Sequence, residues 1–175
     1  LTLKGHFRMH PSDPKSEFQV LSWIEEAHVK CDPPVQSSSG PTDNYLDMYR
    51  VLLRDPVFWQ QYFYAGLMSD AVGINGSPRH YWPIGCGRSG SLIIGLLGFG
   101  TVWNRDKQHG LEWSGQDIPE GTEVVIVDDC MFTGATIRAT AQAAAKRGLV
   151  VKHAVVAWPY KARITLEELA DDEAK

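Results

Sequence analysis

The sequence lacks several features, and each absence narrows the class of protein. It contains no run of about 18 apolar residues, which argues against a membrane-spanning helix. The cysteines Cys31, Cys86 and Cys130 are odd in number and widely spaced. They therefore predict neither a disulfide framework nor a metal site, and they favour a reducing cytoplasm. Residues 1–10 are polar and basic without an apolar centre, so no signal peptide is expected there.

The chain also has fewer basic than acidic residues. The chain has 17 Lys and Arg against 21 Asp and Glu, which gives a formal net charge of −4. This balance argues against bulk electrostatic binding to nucleic acid. The length of 175 residues with 43% hydrophobic residues fits one globular domain with a substantial core.

Residues 124–136 carry the strongest chemical signal in the chain. Four β-branched residues predict a buried strand, Asp128 and Asp129 follow them, and a short turn leads into an alanine-rich helix. Carboxylates accept hydrogen bonds from ribose hydroxyls, directly or through Mg²⁺ and water. Loop amides and the helix dipole hold a phosphate. The succession of strand, acid pair, loop and helix therefore predicts a sugar phosphate site, with Asp128 and Asp129 as its metal-binding pair. The alternative is a plain strand-to-helix turn with two acidic residues at its edge.

The geometry of a strand limits how the acid pair is used. Adjacent strand residues point to opposite faces, so we expect the strand to end at Asp128 and both carboxylates to reach the ligand beyond it. Gly134 lets the backbone approach the phosphate closely. Two threonine hydroxyls add donors, cap the following helix, or do both. Cys130 is either a nucleophile or a small packing residue. The segment predicted to hold the ligand comprises Cys130, Met131, Phe132, Thr133, Gly134, Ala135 and Thr136.

A second motif, GxGxxG, occupies residues 85–90 between a predicted strand and a predicted helix. One interpretation is a dinucleotide-binding turn. However, a dinucleotide-binding turn is accompanied by an acidic residue at the end of the next strand, and no clear candidate is present there. We therefore favour a turn that holds a diphosphate. Gly87, Arg88 and Ser89 then face the diphosphate, and Arg88 supplies positive charge.

A third motif is the polar stretch 104–110. A basic loop that ends in glycine can close over a diphosphate and exclude water. Arg105 would bind the ligand, and Lys107 and His109 would neutralise the departing charge or pass a proton. The alternative is a solvated surface loop without a function.

Strand and helix patterns alternate along the chain, which predicts an α/β fold with a mainly parallel central sheet flanked by helices. A strand at 124–128, a helix at 136–147 and a strand at 150–157 form a βαβ unit. Asp55-Pro56 predicts a helix start. Residues 31–44 are expected to form turns, 45–52 a strand and 165–174 a terminal helix. Ligands on such sheets bind at the carboxyl ends of the strands, where the acid pair lies.

The acid pair with its Thr-Gly-Ala-Thr loop resembles the binding motif for phosphoribosyl diphosphate (PRPP) in type I phosphoribosyltransferases. From about residue 34 to 169 the chain is similar to the orotate branch of that family. The segments that carry the likeness are 39–48, 51–56, 165–169 and the KxHG pattern of Lys107 to Gly110. The resemblance implies a type I phosphoribosyltransferase fold over residues 1–175, with an N-terminal helix and small hood (1–45), a core (46–160) and a tail (161–175). It also implies Mg²⁺, PRPP and a nucleobase as ligands, and a homodimer.

The chain departs from the family pattern at several cationic positions. Trp103 and Asn104 stand where the family loop begins Arg-Lys, and Ser38 stands where a lysine precedes the early Ser-Gly. After the last core strand, Tyr160 is available to stack on a base and Lys161 to meet a carboxylate. Each charge-assisted contact contributes roughly 1.5–3 kcal/mol, so these losses bear on catalysis.

Three functions from different classes follow. The first is Mg²⁺-dependent transfer of ribose 5-phosphate from PRPP to a base, orotate or a related pyrimidine by resemblance, with Asp128, Asp129, Lys107 and His109 as catalytic residues. The second is a regulatory protein that binds PRPP or a nucleotide without turnover. The third is an RNA-binding regulator, which the acidic balance disfavours.

Overall fold

The structure is a computed structural model that describes residues 17–37, 40–72, 78–104, 112–131, 133–158, 161–165 and 167. The described residues fall into two compact units, one that ends at Pro56 and one that begins at Val57. The smaller unit thus extends past residue 45, where the sequence analysis placed the start of the core. Residues 1–16, and all but one of the residues expected to form the terminal helix after Thr165, lie outside the described part.

The smaller unit contains a β-hairpin between two helices: α1 (Glu17–Glu26), β1 (His28–Ser37), β2 (Gly40–Leu46) and α2 (Met48–Arg54). The strands pair antiparallel, from His28 opposite Leu46 to Ser37 opposite Gly40. The prediction of turns at 31–44 was therefore wrong. The pairing register shifts between Lys30 and Val35, the stretch that holds the two prolines. A proline has no amide proton to donate to a neighbouring strand. The resulting gap in the strand pairing makes this stretch of sequence resemble a turn.

The expected strand at 45–52 was also wrong, because most of that segment forms α2. Met48, Val51 and Leu52 are buried and have the i, i+3, i+4 spacing of one helix face. Helix α2 packs against α1. An ion pair between Arg54 and Glu26 links the two helices at the surface.

The larger unit begins with α3 (Pro56–Gly66), as the Asp55-Pro56 pair predicted. The remaining elements are β3 (Met68–Val72), β4 (Pro78–His80), β5 (Trp82–Cys86), α4 (Gly87–Leu97), β6 (Thr101–Trp103), β7 (Trp113–Gly115), β8 (Glu123–Cys130), α5 (Ala135–Lys146), β9 (Val150–Trp158) and β10 (Lys161–Ile164). Strands β3 and β4 form a small antiparallel sheet of their own.

Six strands form the central sheet in the order β10-β9-β8-β5-β6-β7. The four inner strands run parallel, and the two edge strands pair antiparallel with their neighbours. This confirms the predicted α/β class with a mainly parallel sheet. The antiparallel edge strands β7 and β10 were not predicted. Because the inner strands are parallel, their carboxyl ends lie along one edge of the sheet, where ligands bind in this class.

Both faces of the sheet are covered. Val124, Val125, Ile126 and Val127 of β8 are all fully buried, as expected for a central parallel strand. On one face, Ile137 and Ala144 of α5 belong to the clusters that contain Ile126 and Val124. Elsewhere, Tyr62 of α3 donates its hydroxyl to the Val156 carbonyl oxygen at 2.7 Å. In the part of the chain described, no helix has the length and apolar content needed to cross a membrane.

Candidate active site at the carboxyl edge of the sheet

Strand β8 continues through the acid pair to Cys130 and does not end at Asp128 as expected. The reason is its partner: β9 pairs with it as far as Asp128 opposite Val156 and Cys130 opposite Trp158. Side chains alternate along a strand, so the two aspartates have different surroundings. Asp128 is 5% exposed, whereas Asp129 is half-buried. Asp129 thus presents more of its carboxylate to a ligand.

The buried carboxyl of Asp128 has specific neighbours. It accepts a hydrogen bond from the Asp129 backbone N–H at 2.9 Å, and Cys86 lies beside it at the end of the neighbouring strand. Burial raises the pKa of Asp128 well above its ordinary value, and the negative charge of Asp129 raises it further. In the ligand-free protein, the site therefore favours the neutral carboxyl at this position.

A pH experiment tests this arrangement. A carboxyl whose pKa is raised in the folded state binds more protons there than in the unfolded chain, so stability falls as pH rises above about 4. An asparagine side chain in place of Asp128 would keep the oxygen acceptor without the charge. We expect Asp128→Asn to raise the melting temperature of the ligand-free protein at pH 7 by at least about 2 °C. The difference should shrink towards zero near pH 4. Parallel melting curves for the two proteins across pH 4–8 would contradict this.

The thiols beside the acid pair are poor candidates for nucleophiles. Burial raises the pKa of the Cys86 thiol well above its ordinary value, and the Asp128 charge adds to the effect. Burial followed by the Asp129 charge raises the pKa of Cys130 in the same direction. A thiolate is therefore disfavoured at both positions. Of the two interpretations of Cys130, this supports the packing residue.

The segment after the acid pair forms the N-terminus of α5. Gly134 is buried with φ of 70°, a left-handed conformation that suits glycine. The Thr133 hydroxyl accepts the Ala135 backbone N–H at 3.4 Å, and Thr133 directly precedes the N-cap residue Gly134. Thr133 and Ala135 are exposed, and Thr136 is half-buried. Met131 packs against the core, and Phe132 lies outside the described residues. The first-turn amides of α5 face out of the helix end, which suits an anion.

The glycine motif is divided between two elements. Gly85 belongs to β5 and Gly90 to α4, so the predicted turn at 85–90 is confined to the junction at Cys86 and Gly87. A Cβ added at Gly85 would lie 2.5 Å from the Gly90 carbonyl oxygen, so these two glycines serve close packing. Gly87 has φ of 55° and open space around it. Arg88 is exposed and Ser89 is half-buried at the start of α4.

The stem of the basic loop is well defined, although Arg105, Lys107 and His109 lie outside the described residues. Trp103 is 7% exposed and donates its indole N–H to the Glu112 carboxylate at 3.2 Å. The Asn104 backbone N–H donates to the Glu112 carbonyl oxygen at 2.7 Å. The Trp103 and Trp113 ring centroids lie 6.5 Å apart on the paired strands, with the two ring planes tilted by 54°. Trp103 therefore anchors the stem of the loop.

The two residues predicted to bind the base are only partly placed. Lys161 opens β10 opposite Val156, but its side chain lies outside the described part, as does Tyr160. Within the described residues, no three His, Cys, Asp or Glu side chains lie close enough together to hold a metal ion. Two carboxylates are fewer protein ligands than a self-sufficient cation site requires, so a cation here would need oxygens from a ligand or water.

Two neighbouring parallel strands bring the predicted motifs together. In the β5–β8 ladder, Gly85 lies opposite Val127, so the next residues along, Cys86 and Asp128, meet at the same edge. The start of α4 and the acid pair are therefore adjacent, and the turn into α5 follows directly. Sequence reasoning missed Cys86 and Thr140, which contact each other inside this edge at 3.1 Å. They lie 54 positions apart, and no sequence motif links them.

Comparison with known proteins gives a match in structure alone. No family model matches the sequence, and no curated protein matches it significantly. The orotate phosphoribosyltransferase of Mycobacterium tuberculosis is similar in its complex with inorganic phosphate (17% identity, TM-score 0.55) and with PRPP (16%, 0.54). Each alignment covers 79% of both chains. Adenine phosphoribosyltransferase from Thermoanaerobacter pseudethanolicus is 19% identical with a TM-score of 0.51, over 78% of this chain and 85% of that one.

These likenesses establish the fold. The protein has the type I phosphoribosyltransferase fold, as the order of its motifs predicted.

Proposed function

We propose that this protein binds PRPP and transfers its ribose 5-phosphate to a nitrogenous base with release of diphosphate. One observation carries the proposal: the acid pair, the start of α4 and the N-terminus of α5 meet at the carboxyl edge of β5 and β8. The carboxylates suit ribose hydroxyls, and the two helix starts suit phosphate groups. The same fold holds PRPP in the similar Mycobacterium tuberculosis enzyme, which supports the assignment.

In this reaction the bond between C1 of the ribose and the diphosphate oxygen breaks, and diphosphate takes the electron pair. A ring nitrogen of the base forms the new bond to C1, and the proton of that nitrogen passes to the departing diphosphate or to water. Positive charge develops at C1 in the transition state, and the Asp129 carboxylate stabilises it. Asp128 assists with the ribose hydroxyls, and residues 133–136 hold the 5′-phosphate. Arg88 and the loop residues Lys107 and His109 neutralise the departing diphosphate.

The acid pair fits Mg²⁺ only with help from the substrate. Mg²⁺ keeps several waters and commonly takes one or two carboxylates together with substrate phosphate oxygens. Asp129, with Asp128 beside it, supplies that small number of carboxylates. The ion would offset the negative charge of the diphosphate. Binding of Mg²⁺ is accordingly expected to depend on PRPP.

The acceptor base and the assembly belong to the proposal as well. By resemblance we assign orotate or a related pyrimidine as the base, with Tyr160 and Lys161 as its contacts, and a homodimer as the working form in the cytoplasm. Lys161 lies at the start of β10, next to the last core strand β9. Val156 of β9 pairs with both Lys161 and Asp128, which supports a base-binding role for this segment.

A specific observation favours a second candidate, a regulatory protein that binds PRPP without turnover. Trp103 is buried, and its only polar side-chain atom is bonded to Glu112, so no cation acts from that position. If the remaining cations of the loop do not compensate for this missing charge, the protein binds PRPP but does not catalyse its transfer to a base. The two candidates differ in turnover and agree in PRPP binding.

The deciding experiment measures binding and turnover on the same preparation. Calorimetry with PRPP and Mg²⁺ gives affinity, and an assay for released diphosphate with orotate, uracil, adenine and hypoxanthine gives activity. We expect PRPP binding, and diphosphate release with one of these bases. Lys107→Ala should reduce turnover at least about 100-fold while it changes PRPP affinity much less, because the loop acts on the departing charge.

Two other outcomes have clear meanings. Binding of PRPP without release for any base, together with a silent Lys107→Ala, would favour the regulatory protein. Absence of any heat with PRPP at millimolar concentration would overturn both candidates.

A further inference from the structure

A row of buried polar groups runs beneath the proposed site and crosses three elements. Thr140 of α5 is fully buried, and its hydroxyl donates to the Thr136 carbonyl oxygen at 2.9 Å. The same hydroxyl oxygen lies 3.1 Å from the Cys86 sulfur, at the end of β5. Cys86 is 3% exposed and lies beside Asp128 of β8, because the two residues directly follow the paired Gly85 and Val127. Asp128 in turn accepts the Asp129 backbone N–H at 2.9 Å.

Each member of the row is attached to one part of the proposed site. Cys86 directly precedes Gly87 at the start of α4, where diphosphate is placed. Thr140 bonds to Thr136 in the first turn of α5, where the 5′-phosphate is placed. Asp128 bonds to the amide of Asp129, whose carboxylate is assigned above to the ribose. The row therefore connects the three parts of the site from inside the protein. Only Asp128 and Asp129 have groups that a ligand would contact.

From these contacts we infer that Thr140 and Cys86 are positioning residues that fix the acid pair relative to the two phosphate-binding helix starts. The inference rests on the proposed function. The polar row runs through apolar surroundings, because Ile126, Ile137 and Val156 belong to the same buried cluster as Cys86. Directional contacts between buried polar groups hold those groups in one arrangement, whereas apolar contacts alone permit several.

The test compares two buried threonines in the same fold. Thr140→Val removes the hydroxyl and keeps the shape, and Thr140→Ser keeps the hydroxyl. Thr101 of β6 is the matched control: it is 1% exposed, accepts the Trp82 indole N–H at 3.1 Å and donates to the Gln116 carbonyl oxygen at 2.7 Å. Cys86→Ala removes the thiol and gives a second, independent break in the row. PRPP binding with Mg²⁺ is measured by calorimetry for each variant.

We expect Thr140→Val and Cys86→Ala to weaken PRPP binding about three- to tenfold, the effect of one buried hydrogen bond, at unchanged stoichiometry. Thr140→Ser should restore the wild-type affinity. Thr101→Val should lower the melting temperature to a similar extent and leave the affinity unchanged. A loss of correctly folded protein would lower the stoichiometry instead, so the two readouts separate positioning from simple destabilisation.

Wild-type affinity in both Thr140→Val and Cys86→Ala would overturn the inference. Equal loss of affinity in Thr140→Val and Thr101→Val would also overturn it, because the effect would then be general. If the wild-type protein itself does not bind PRPP, the proposed function fails first and this inference falls with it.

Discussion

Replacing Asp129 with asparagine should lower the rate of diphosphate release about 100- to 1000-fold, the usual cost of losing one transition-state charge contact. Asp129 is the more exposed member of the acid pair, so its carboxylate is the one placed to stabilise positive charge at C1. The amide side chain keeps the oxygen that accepts the Cys130 backbone N–H at 2.7 Å. The fold should therefore persist. The rate is measured at saturating PRPP, with the base that the wild-type protein uses.

Glu123→Gln is the control for this prediction. Glu123 begins the same strand, and its loss removes the same charge from the protein. It lies about 20 Å from Asp129, since a strand rises about 3.3 Å per residue. Its carboxylate pairs with Lys152 at 3.0 Å near the surface. We expect unchanged turnover in this variant. Activity of Asp129→Asn within tenfold of wild type would show that the Asp129 charge is not used in the transition state.

The parts of the fold that were predicted correctly are those that a local sequence pattern determines. The predicted strand 124–128, helix 136–147 and strand 150–157 correspond to β8, α5 and β9, with bounds that differ by no more than two residues. Continuous β-branched runs predict fully buried parallel strands, and the alanine-rich stretch between them has high helix propensity. The Asp55-Pro56 start of α3 was found because capping chemistry is local.

The errors arose where pairing with a distant segment determines the structure. The extension of β8 to Cys130 depends on Trp158 of β9, which sequence reasoning did not pair with it. Residues 45–52 are apolar enough for a strand or a helix, and only their packing against α1 makes α2. Antiparallel edges such as β10 carry no local signal that distinguishes them from a loop.

The difference in burial between Asp128 and Asp129 could not be predicted from the sequence either. Two adjacent aspartates look equivalent, and only the continuing strand sends Asp128 into the interior towards Cys86. The GxGxxG motif was similarly ambiguous. Its first and last glycines pack backbone against backbone, and only Gly87 is left open for a ligand. In both cases the sequence identified the residues, and tertiary packing assigned their separate roles.

Close packing at the glycine motif leads to the largest expected effect on stability. A Cβ added at Gly90 would lie 2.6 Å from the Gly85 Cα, and both atoms belong to rigid backbone between β5 and α4. Neither side chain rotation nor local repacking relieves such a clash. Gly90→Ala should lower the free energy of unfolding by about 3 kcal/mol. The melting temperature should fall by roughly 6–12 °C for a chain of this length. Thermal and urea unfolding without ligand provide the measurement.

Gly95→Ala in the same helix is the matched control, because both substitutions give the same gain in helix propensity. Gly95 is exposed, and a Cβ there meets nothing within 4 Å. Alanine should therefore stabilise the protein at this position by about 0.5–1 kcal/mol. The two variants are expected to move stability in opposite directions, and the difference between them isolates the strand–helix contact. Equal melting temperatures for the two variants would show that β5 and α4 do not approach each other this closely.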